Sequence, residues 1–228
     1  MARLRKASRL LRNREAVEAA QRGLFEPEGA VFTIDPAAIF KRRAPLEIEL
    51  GAGKGEFIIA RAATNPNRDF LAIELSAVVA RVLASRCGRA GLPNLKVIRM
   101  DARPLVNLML TDGAVSVYHI YFPDPWPKQR HSKHRLFTPP FVTSLGRTLR
   151  PDGELHFASD VRDYASEIFA MLSAAGFARL SDDAQGAHST GFGTRFAAEE
   201  RAILRGIFRP SGTNRALNME FRVNSPTL

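Results

Sequence analysis

The chain has 228 residues, of which 45% are hydrophobic, and a formal net charge of +10. This length and apolar content predict one folded domain and exclude wholesale disorder. The positive charge favours a polyanionic partner, nucleic acid first and an anionic membrane surface second. No apolar run approaches the roughly 20 residues of a membrane-spanning helix. A single cysteine, Cys87, excludes a disulfide framework, and the five histidines lack metal-ligand spacing, so no metal is expected.

The amino terminus is strongly basic. Residues 1–14 contain six lysines and arginines and no acidic residue. Such a segment is typical of an organelle transit peptide or of a flexible arm that contacts RNA phosphates. We favour the arm, because the same charge sign recurs in the body of the chain. The prediction is a flexible basic arm over residues 1–22 and a single domain over residues 23–228, in a cytoplasmic protein.

Short apolar runs alternate with longer helical patterns along the chain. This alternation is typical of an α/β fold with a mostly parallel central sheet and helices on both faces. The predicted strands cover residues 46–50, 70–74, 95–100, 114–121, 154–159 and 217–223. The predicted helices cover residues 56–63, 77–90, 139–149 and 164–175, and a turn is predicted over residues 151–153.

Three candidate ligand-binding features fall at the carboxyl ends of successive predicted strands. Gly51 and Gly53 follow the first strand and allow a tight turn against a ligand. Glu74 ends the second strand, where a carboxylate can accept both hydroxyls of a ribose. Asp101 and Ala102 follow the third strand, where an acid and a backbone amide can read an adenine edge. Since this edge is where open α/β sheets bind ligands, the three features predict an adenosine-containing cofactor.

The residues around the glycines indicate which cofactor this is. The spacing G-x-G-x-G differs from the G-x-G-x-x-G of most dinucleotide sites, and no P-loop motif occurs. Glu49 lies two residues before the first glycine. An acid there repels a pyrophosphate and attracts a sulfonium or an α-amino group. The sequence therefore favours S-adenosylmethionine over NAD.

A stiff turn after the fourth strand carries the most specific motif of the chain. Asp124 lies between two prolines and beside Trp126, the only tryptophan, and a cationic run over residues 128–135 follows. Because proline restricts the backbone, this carboxylate is held in a non-helical turn, where it can read a nucleobase. Trp126 can either stack on a base or pack beneath the loop. We expect phosphate contacts from three cations of the run, Arg130, Lys133 and Arg135.

With these features in this order, the sequence resembles the tRNA (guanine-N7)-methyltransferases from about residue 46 to residue 221. The resemblance implies a Rossmann-like class I methyltransferase fold and transfer of a methyl group from S-adenosylmethionine to N7 of a guanine in the tRNA variable loop. It implies that Asp124 lies at the junction of donor and guanine. The donor contacts implied are Glu49, Gly51, Gly53, Glu74, Asp101 and Ala102. The RNA contacts implied are Lys128, Arg130, Asp160, Thr194 and Arg195.

The sequence departs from the family pattern near Thr194. The family places a glutamate directly after the aromatic residue of this segment, whereas Phe196 is followed by Ala197 and Ala198. Two alternatives remain open: methylation of another RNA site, and a non-catalytic RNA-binding module that retains the fold. The sequence leaves a monomer and a homodimer equally possible, and no accessory subunit is evident.

Overall fold

A mostly parallel sheet organises the molecule. The computed structural model describes residues 14–25, 33–126 and 134–211. The strands are β1 (Leu46–Leu50), β2 (Asp69–Glu74), β3 (Leu95–Arg99), β4 (Val115–Tyr121), β5 (Leu149–Ser159), β6 (Phe177–Ser181) and β7 (Leu204–Pro210). They form one seven-stranded sheet in the order β3-β2-β1-β4-β5-β7-β6. The first five strands run parallel, and β7 pairs antiparallel with β5 and β6. The predicted fold class is confirmed.

Helices connect the strands. They are α1 (Arg14–Gly23), α2 (Pro36–Phe40), α3 (Glu56–Thr64), α4 (Ala77–Ala90), α5 (Pro139–Thr148), α6 (Arg162–Ala174) and α7 (Gly191–Ala198). A helical turn, Ala102–Pro104, leads into the π-helix Leu105–Met109, and a 3-10 helix, Gln185–Ser189, precedes α7. Helix α4 shows how the sequence sets the ends. The Ser76 hydroxyl accepts a hydrogen bond from Val79 N, and Gly91 ends the helix at φ +64°.

Apolar cores cover the sheet on both faces. Leu71 and Ile73 of β2 pack in one cluster with residues of α5 and α6. Phe70 and Ala72, the alternate residues of the same strand, pack in a second cluster with residues of α3 and α4. Because successive strand residues point to opposite faces, a strand buried on both faces is apolar throughout. This explains why the sequence shows short continuous apolar runs.

Most predicted boundaries lie within two residues of the observed ones, but the turn at residues 151–153 was wrong. Strand β5 begins at Leu149, directly after α5. Leu149 pairs with Val115 and Glu154 pairs with Val117, so residues 150–153 form a bulge inside the strand. Strands β6 and β7 were not predicted, because charged residues interrupt their apolar pattern. The predicted strand over residues 217–223 lies outside the described residues.

Part of the predicted flexible arm is a packed helix. Residues 14–22 belong to α1, which buries Ala16 and Ala19. Glycines allow close contact between α1 and α4: a Cβ on Gly23 would lie 2.2 Å from the Ala84 carbonyl oxygen. A Cβ on Gly88 would lie 1.9 Å from the Ala19 carbonyl oxygen. The arm prediction therefore fails for residues 14–22, because small residues let the two backbones meet. Residues 1–13 lie outside the described residues.

Candidate functional site

A cleft of about 810 Å³ opens at the carboxyl ends of β1 to β4. The sequence-predicted residues that line it are Glu49, Gly51, Gly53, Glu74, Asp101, Ala102, Asp124 and Arg195. Asp160 and Thr194 are not among its lining residues, and Lys128 and Arg130 lie outside the described residues. The parallel strands therefore bring the predicted donor-binding residues and the predicted catalytic acid into one space.

The glycine loop forms the floor of the cleft next to β1. Gly51 and Gly53 have φ values of +78° and +56°, in the left-handed region that favours glycine. Gly51 N and Ala52 N donate hydrogen bonds to the Ile73 carbonyl oxygen at 2.9 and 3.0 Å. A Cβ added at either glycine would meet no atom of the described chain within 4 Å. Backbone conformation, and not crowding, requires glycine here, and the loop faces open space of the cleft.

Glu49 is a buried carboxylate at the base of the cleft. Only 4% of the residue is exposed, and among the described residues no donor meets its Oε2. Burial raises the pKa of Glu49 well above its usual value, and the nearby Glu56 adds to the rise. A buried carboxylate oxygen without a donor is suited to a cationic group, such as an ammonium or a sulfonium. This chemistry agrees with the preference for S-adenosylmethionine drawn from the sequence.

The Glu74 carboxylate is held in place by backbone donors. Gly53 N donates to Oε2 at 3.0 Å and Ser76 N donates to Oε1 at 2.8 Å. Burial raises the pKa of Glu74, and the nearby Asp124 carboxylate contributes to this rise. A carboxylate has about four acceptor positions, so Glu74 retains acceptor capacity for a ribose hydroxyl.

Asp101 serves first as a helix cap. Its carboxylate accepts hydrogen bonds from Arg103 N at 2.9 Å and from the Arg103 guanidinium. These bonds from Arg103 lower the pKa of Asp101. Ala102 follows at the cleft wall. Asp101 and Ala102 therefore lie at the predicted edge of the cleft. Hydrogen bonds from Arg103 use some of the acceptor positions of the Asp101 carboxylate.

Asp124 lies in a turn with unusual backbone geometry. Phe122 and Trp126 both have positive φ values, +53° and +41°, which are costly for bulky residues. The turn is anchored at its start, where Phe122 N donates to the Ala158 carbonyl oxygen at 2.8 Å. Trp126 lines the cleft with its ring centroid 5.2 Å from that of His134. Strained backbone held by specific contacts is a common feature of functional sites.

Arg135 anchors the end of this turn. The sequence had predicted a contact between Arg135 and a phosphate. Its Nε donates to the Pro125 carbonyl oxygen at 3.0 Å, and Nη1 donates to both Glu167 oxygens at 2.9 and 2.8 Å. The guanidinium carbon also lies 5.3 Å from the centroid of the Tyr164 ring. The guanidinium thus holds the Asp124 turn against α6. Sequence spacing could not reveal this, since Glu167 is 32 residues away.

Helix α7 forms the opposite wall of the cleft. Thr190 caps it, with its hydroxyl accepting from Gly193 N at 2.8 Å. The Thr194 hydroxyl donates to the Thr190 and His188 carbonyl oxygens, at 3.1 and 3.3 Å, so it stabilises this segment. Asp160 accepts a hydrogen bond from Arg201 at 2.6 Å. Both side chains therefore make contacts within the protein, and the bond to Asp160 involves only its Oδ2 atom.

Glu199 does not supply the acid that is missing after Phe196. Glu199 forms ion pairs with Arg195 at 3.3 Å and with Arg201 at 2.9 Å, and it is not among the residues that line the cleft. The departure from the family pattern is therefore also a difference in the site.

A buried polar network reaches the cleft, and this network was not predicted from the sequence. Glu47 is fully buried, and the His119 Nε2 donates to it at 2.8 Å. A carboxylate only accepts hydrogen bonds, so Nε2 carries the proton of the neutral imidazole. Nδ1 therefore accepts a hydrogen bond from the Tyr121 hydroxyl at 3.0 Å, and Tyr121 lines the cleft. Burial would raise the pKa of Glu47, but hydrogen bonds from His119 and Arg61 outweigh it and hold the pKa at about 2. Burial lowers the pKa of His119 to about 4. The network fixes Tyr121 through a neutral imidazole.

Neither a metal-ligand cluster nor a membrane-spanning helix is found among the described residues. Within residues 14–25, 33–126 and 134–211, no three metal-ligating side chains cluster. No helix in the same ranges has the length and apolar character to cross a membrane.

Two solved structures with a similar architecture are methyltransferases. The 16S rRNA methyltransferase KamB superposes with a TM-score of 0.58, at 16% identity, over 76% of this chain and 91% of that chain. A SAM-dependent methyltransferase from Aquifex aeolicus superposes with a TM-score of 0.52, at 13% identity, over 90% of this chain and 97% of that one. At these identities the likeness shows the fold alone. The chain has the Rossmann-like methyltransferase fold.

Sequence relatives narrow the class to one family. A family model described as a putative methyltransferase matches residues 43–205. A tRNA (guanine-N(7)-)-methyltransferase of Chromobacterium violaceum is 40% identical over 71% of this chain and 69% of its own length. Its counterpart in Paracidovorax citrulli is 42% identical over 62% of this chain and 57% of its own length. The chain belongs to the tRNA (guanine-N7)-methyltransferase family. It spans less than two thirds of the length of several relatives, for example 57% and 62% for those of Paracidovorax citrulli and Nitrosomonas eutropha.

Proposed function

We propose that this protein transfers a methyl group from S-adenosylmethionine to N7 of a guanine in the variable loop of tRNA. The observation that carries the proposal is the single cleft that Asp124 shares with Glu49, Glu74 and Asp101. Family membership supports the reaction and the substrate class. We further propose that the protein is cytoplasmic and that it acts as a monomer or a homodimer.

The donor half of the cleft fits S-adenosylmethionine. Glu49 offers a buried carboxylate oxygen to a cationic group, and the Glu74 carboxylate is oriented for the ribose hydroxyls. Asp101 and Ala102 lie where the adenine edge is expected. The donor, when bound, supplies an electrophilic methyl group on a sulfonium. These residues bind and orient it, which makes the transfer effectively unimolecular.

Asp124 is proposed to orient the acceptor base. Guanine N7 already carries an in-plane lone pair, so its methylation requires no prior deprotonation. The purine ring gains positive charge as the methyl group is transferred. We assign Asp124 to accept hydrogen bonds from N1–H and N2–H of the guanine, which orients N7 and stabilises this charge. The anchored turn keeps the carboxylate in place during the reaction.

The proposal assigns contacts with tRNA to Lys128, Arg130, Asp160, Thr194 and Arg195. Arg195 lines the cleft, and Lys128 and Arg130 belong to the basic run that follows the Asp124 turn. Asp160 and Thr194 are proposed to contact the RNA as well, and both side chains also make hydrogen bonds within the protein. The net charge of +10 supports a strong dependence of RNA binding on salt.

The test is transfer of a labelled methyl group from S-adenosylmethionine to unmodified tRNA, followed by mapping through chain cleavage at N7-methylguanine. Label at a variable-loop guanine is expected. Label at another RNA position would keep the enzyme class and overturn the proposed site. Donor binding without transfer would favour the alternative of a non-catalytic RNA-binding module, and Ala197, at the position where the family has glutamate, would be the first residue to change.

A further inference from the structure

An exposed aromatic side chain lies on the wall of the cleft. Phe192 belongs to the first turn of α7 and lines the cleft together with Asp124. It is 48% exposed, although most large apolar side chains of the described chain are buried. Because ligand pockets are lined mainly by apolar and aromatic side chains, an exposed aromatic ring on the cleft wall offers a face on which a ligand can pack.

Contacts with neighbouring side chains hold the Phe192 ring in position. Its centroid lies 6.3 Å from that of Phe122 and 5.8 Å from that of Phe196. The Arg195 guanidinium carbon lies 5.4 Å from the Phe192 centroid and 4.6 Å from the Phe196 centroid. Aromatic and cation–π contacts of this kind fix the orientation of a ring. Phe122 also begins the Asp124 turn, so the aromatic group and the acid share one support.

We propose that Phe192 is a stacking platform for the purine that is methylated. This inference rests on the proposed function and adds a base-positioning residue to it. Asp124 recognises the edge of the guanine, which determines base identity. Phe192 contacts its face, which every base possesses, and thereby fixes the plane in which N7 approaches the donor. Stacking of a base on an aromatic side chain strengthens RNA binding without hydrogen bonds.

Substitutions at residue 192 separate stacking from simple packing. Phe192→Leu keeps an apolar side chain at this position but removes the aromatic face, whereas Phe192→Trp keeps an aromatic face. We expect Phe192→Leu to lower kcat/KM for tRNA on the order of tenfold to a hundredfold, in line with alanine substitutions at stacking sites. Phe192→Trp is expected to remain within about threefold of the wild type, since any aromatic ring can stack. Donor affinity is expected to stay unchanged in both variants.

Leu180 provides a matched control. It is 47% exposed, lies on β6, and is not among the residues that line the cleft. Leu180→Ala is expected to leave kcat/KM unchanged. Equal losses in Phe192→Leu and Leu180→Ala would assign the effect to lost exposed apolar surface and would overturn the proposal.

A binding measurement tests stacking without methyl transfer. A tRNA with a fluorescent guanine analogue that retains N1–H and the 2-amino group at the target position is mixed with the protein and S-adenosylhomocysteine, and the emission of the base analogue reports its stacking. Wild type and Phe192→Trp are expected to change the emission, and Phe192→Leu is not. A change of the same size in Phe192→Leu, or activity of Phe192→Leu equal to the wild type, overturns the stacking role while leaving the methyltransferase reaction intact. Failure of the wild type to methylate tRNA is a separate result and overturns the proposed function itself.

Discussion

Replacing Arg135 by methionine should slow methyl transfer without weakening donor binding. The Nε bond to the Pro125 carbonyl is partly buried, and hydrogen bonds to charged groups contribute about 1.5–3 kcal/mol. The contact with the Tyr164 ring adds about 0.5–1 kcal/mol. Glu167 is half-exposed, so its ion pair contributes about 0–1 kcal/mol.

These magnitudes assign the main effect of Arg135 to the Asp124 turn. Asp124 directly precedes Pro125, so loss of the carbonyl contact frees the carboxylate that is proposed to be catalytic. Since a displacement of about 1 Å can cost about a hundredfold in rate, we expect Arg135→Met to lower kcat roughly tenfold to a hundredfold. Glu167→Gln weakens the exposed pair, retains the carbonyl contact, and should lower kcat by less than about fivefold.

The assay is steady-state methylation of tRNA by the two variants, with donor affinity measured by calorimetry. Equal kcat values for Arg135→Met and Glu167→Gln would refute the reasoning. The salt dependence of tRNA binding provides a second criterion. An internal Arg135 leaves the slope of log K against log[salt] unchanged, whereas a phosphate contact would reduce the slope by about 1.

Three further predictions follow from the cleft and its support. Asp124→Asn should lower kcat by about 10²–10³, as for lost electrostatic stabilisation, and leave calorimetric donor affinity near the wild type. Glu49→Gln should weaken donor binding and abolish proton release, because the pKa of Glu49 is raised and a bound cation requires the ionised carboxylate; calorimetry in two buffers of different ionisation heat measures this release. The pKa of His119 is lowered to about 4 from about 6.5, so the folded state loses stability as pH falls from 6.5 towards 4. His119 should therefore contribute about 2 kcal/mol to the loss of stability between pH 7 and pH 5, measured as the difference between wild type and His119→Gln in urea unfolding at both pH values.

Each of these predictions has a result that contradicts it. The control for Asp124→Asn is Asp182→Asn, since Asp182 is highly exposed and does not line the cleft. Equal kcat values for these two variants would remove Asp124 from the mechanism. Donor binding by Glu49→Gln that still releases a proton would assign the release to another group. An unchanged pH dependence of unfolding in His119→Gln would mean that His119 does not titrate as its burial requires.

The positions of the proposed donor-binding residues could be predicted from the sequence because each lies at or next to the end of a recognisable strand. Glu49, Glu74 and Asp101 lie at strand ends, and parallel strands bring their carboxyl ends to one edge of a sheet. Local pattern therefore implied their proximity. Phe192 and Tyr121 escaped prediction, since no local pattern distinguishes a cleft-lining aromatic residue from a core one. Their exposure and partners depend on segments distant in the chain.

The role of Arg135 could not be predicted for a different reason. A dense basic run is read locally as a phosphate-binding surface, and this reading ignores acids that the fold brings near. Glu167 and the Pro125 carbonyl meet the guanidinium only when α6 packs beside the Asp124 turn. The same limit applies to the predicted arm, because the packing of α1 on α4 depends on glycines far apart in sequence.

The sequence by itself determined the parallel sheet, the glycine loop, the three acids at strand ends and the stiff Asp124 turn. These features depend on local periodicity and backbone restriction, which neighbouring residues express. Only the tertiary structure decided which polar groups remain available to a ligand. Among the described residues no donor meets Oε2 of Glu49, while Asp160, Thr194 and Arg135 make hydrogen bonds within the protein. The physical reason is that hydrogen bonding and burial are pairwise and non-local, so a residue's chemistry depends on partners that only folding brings together.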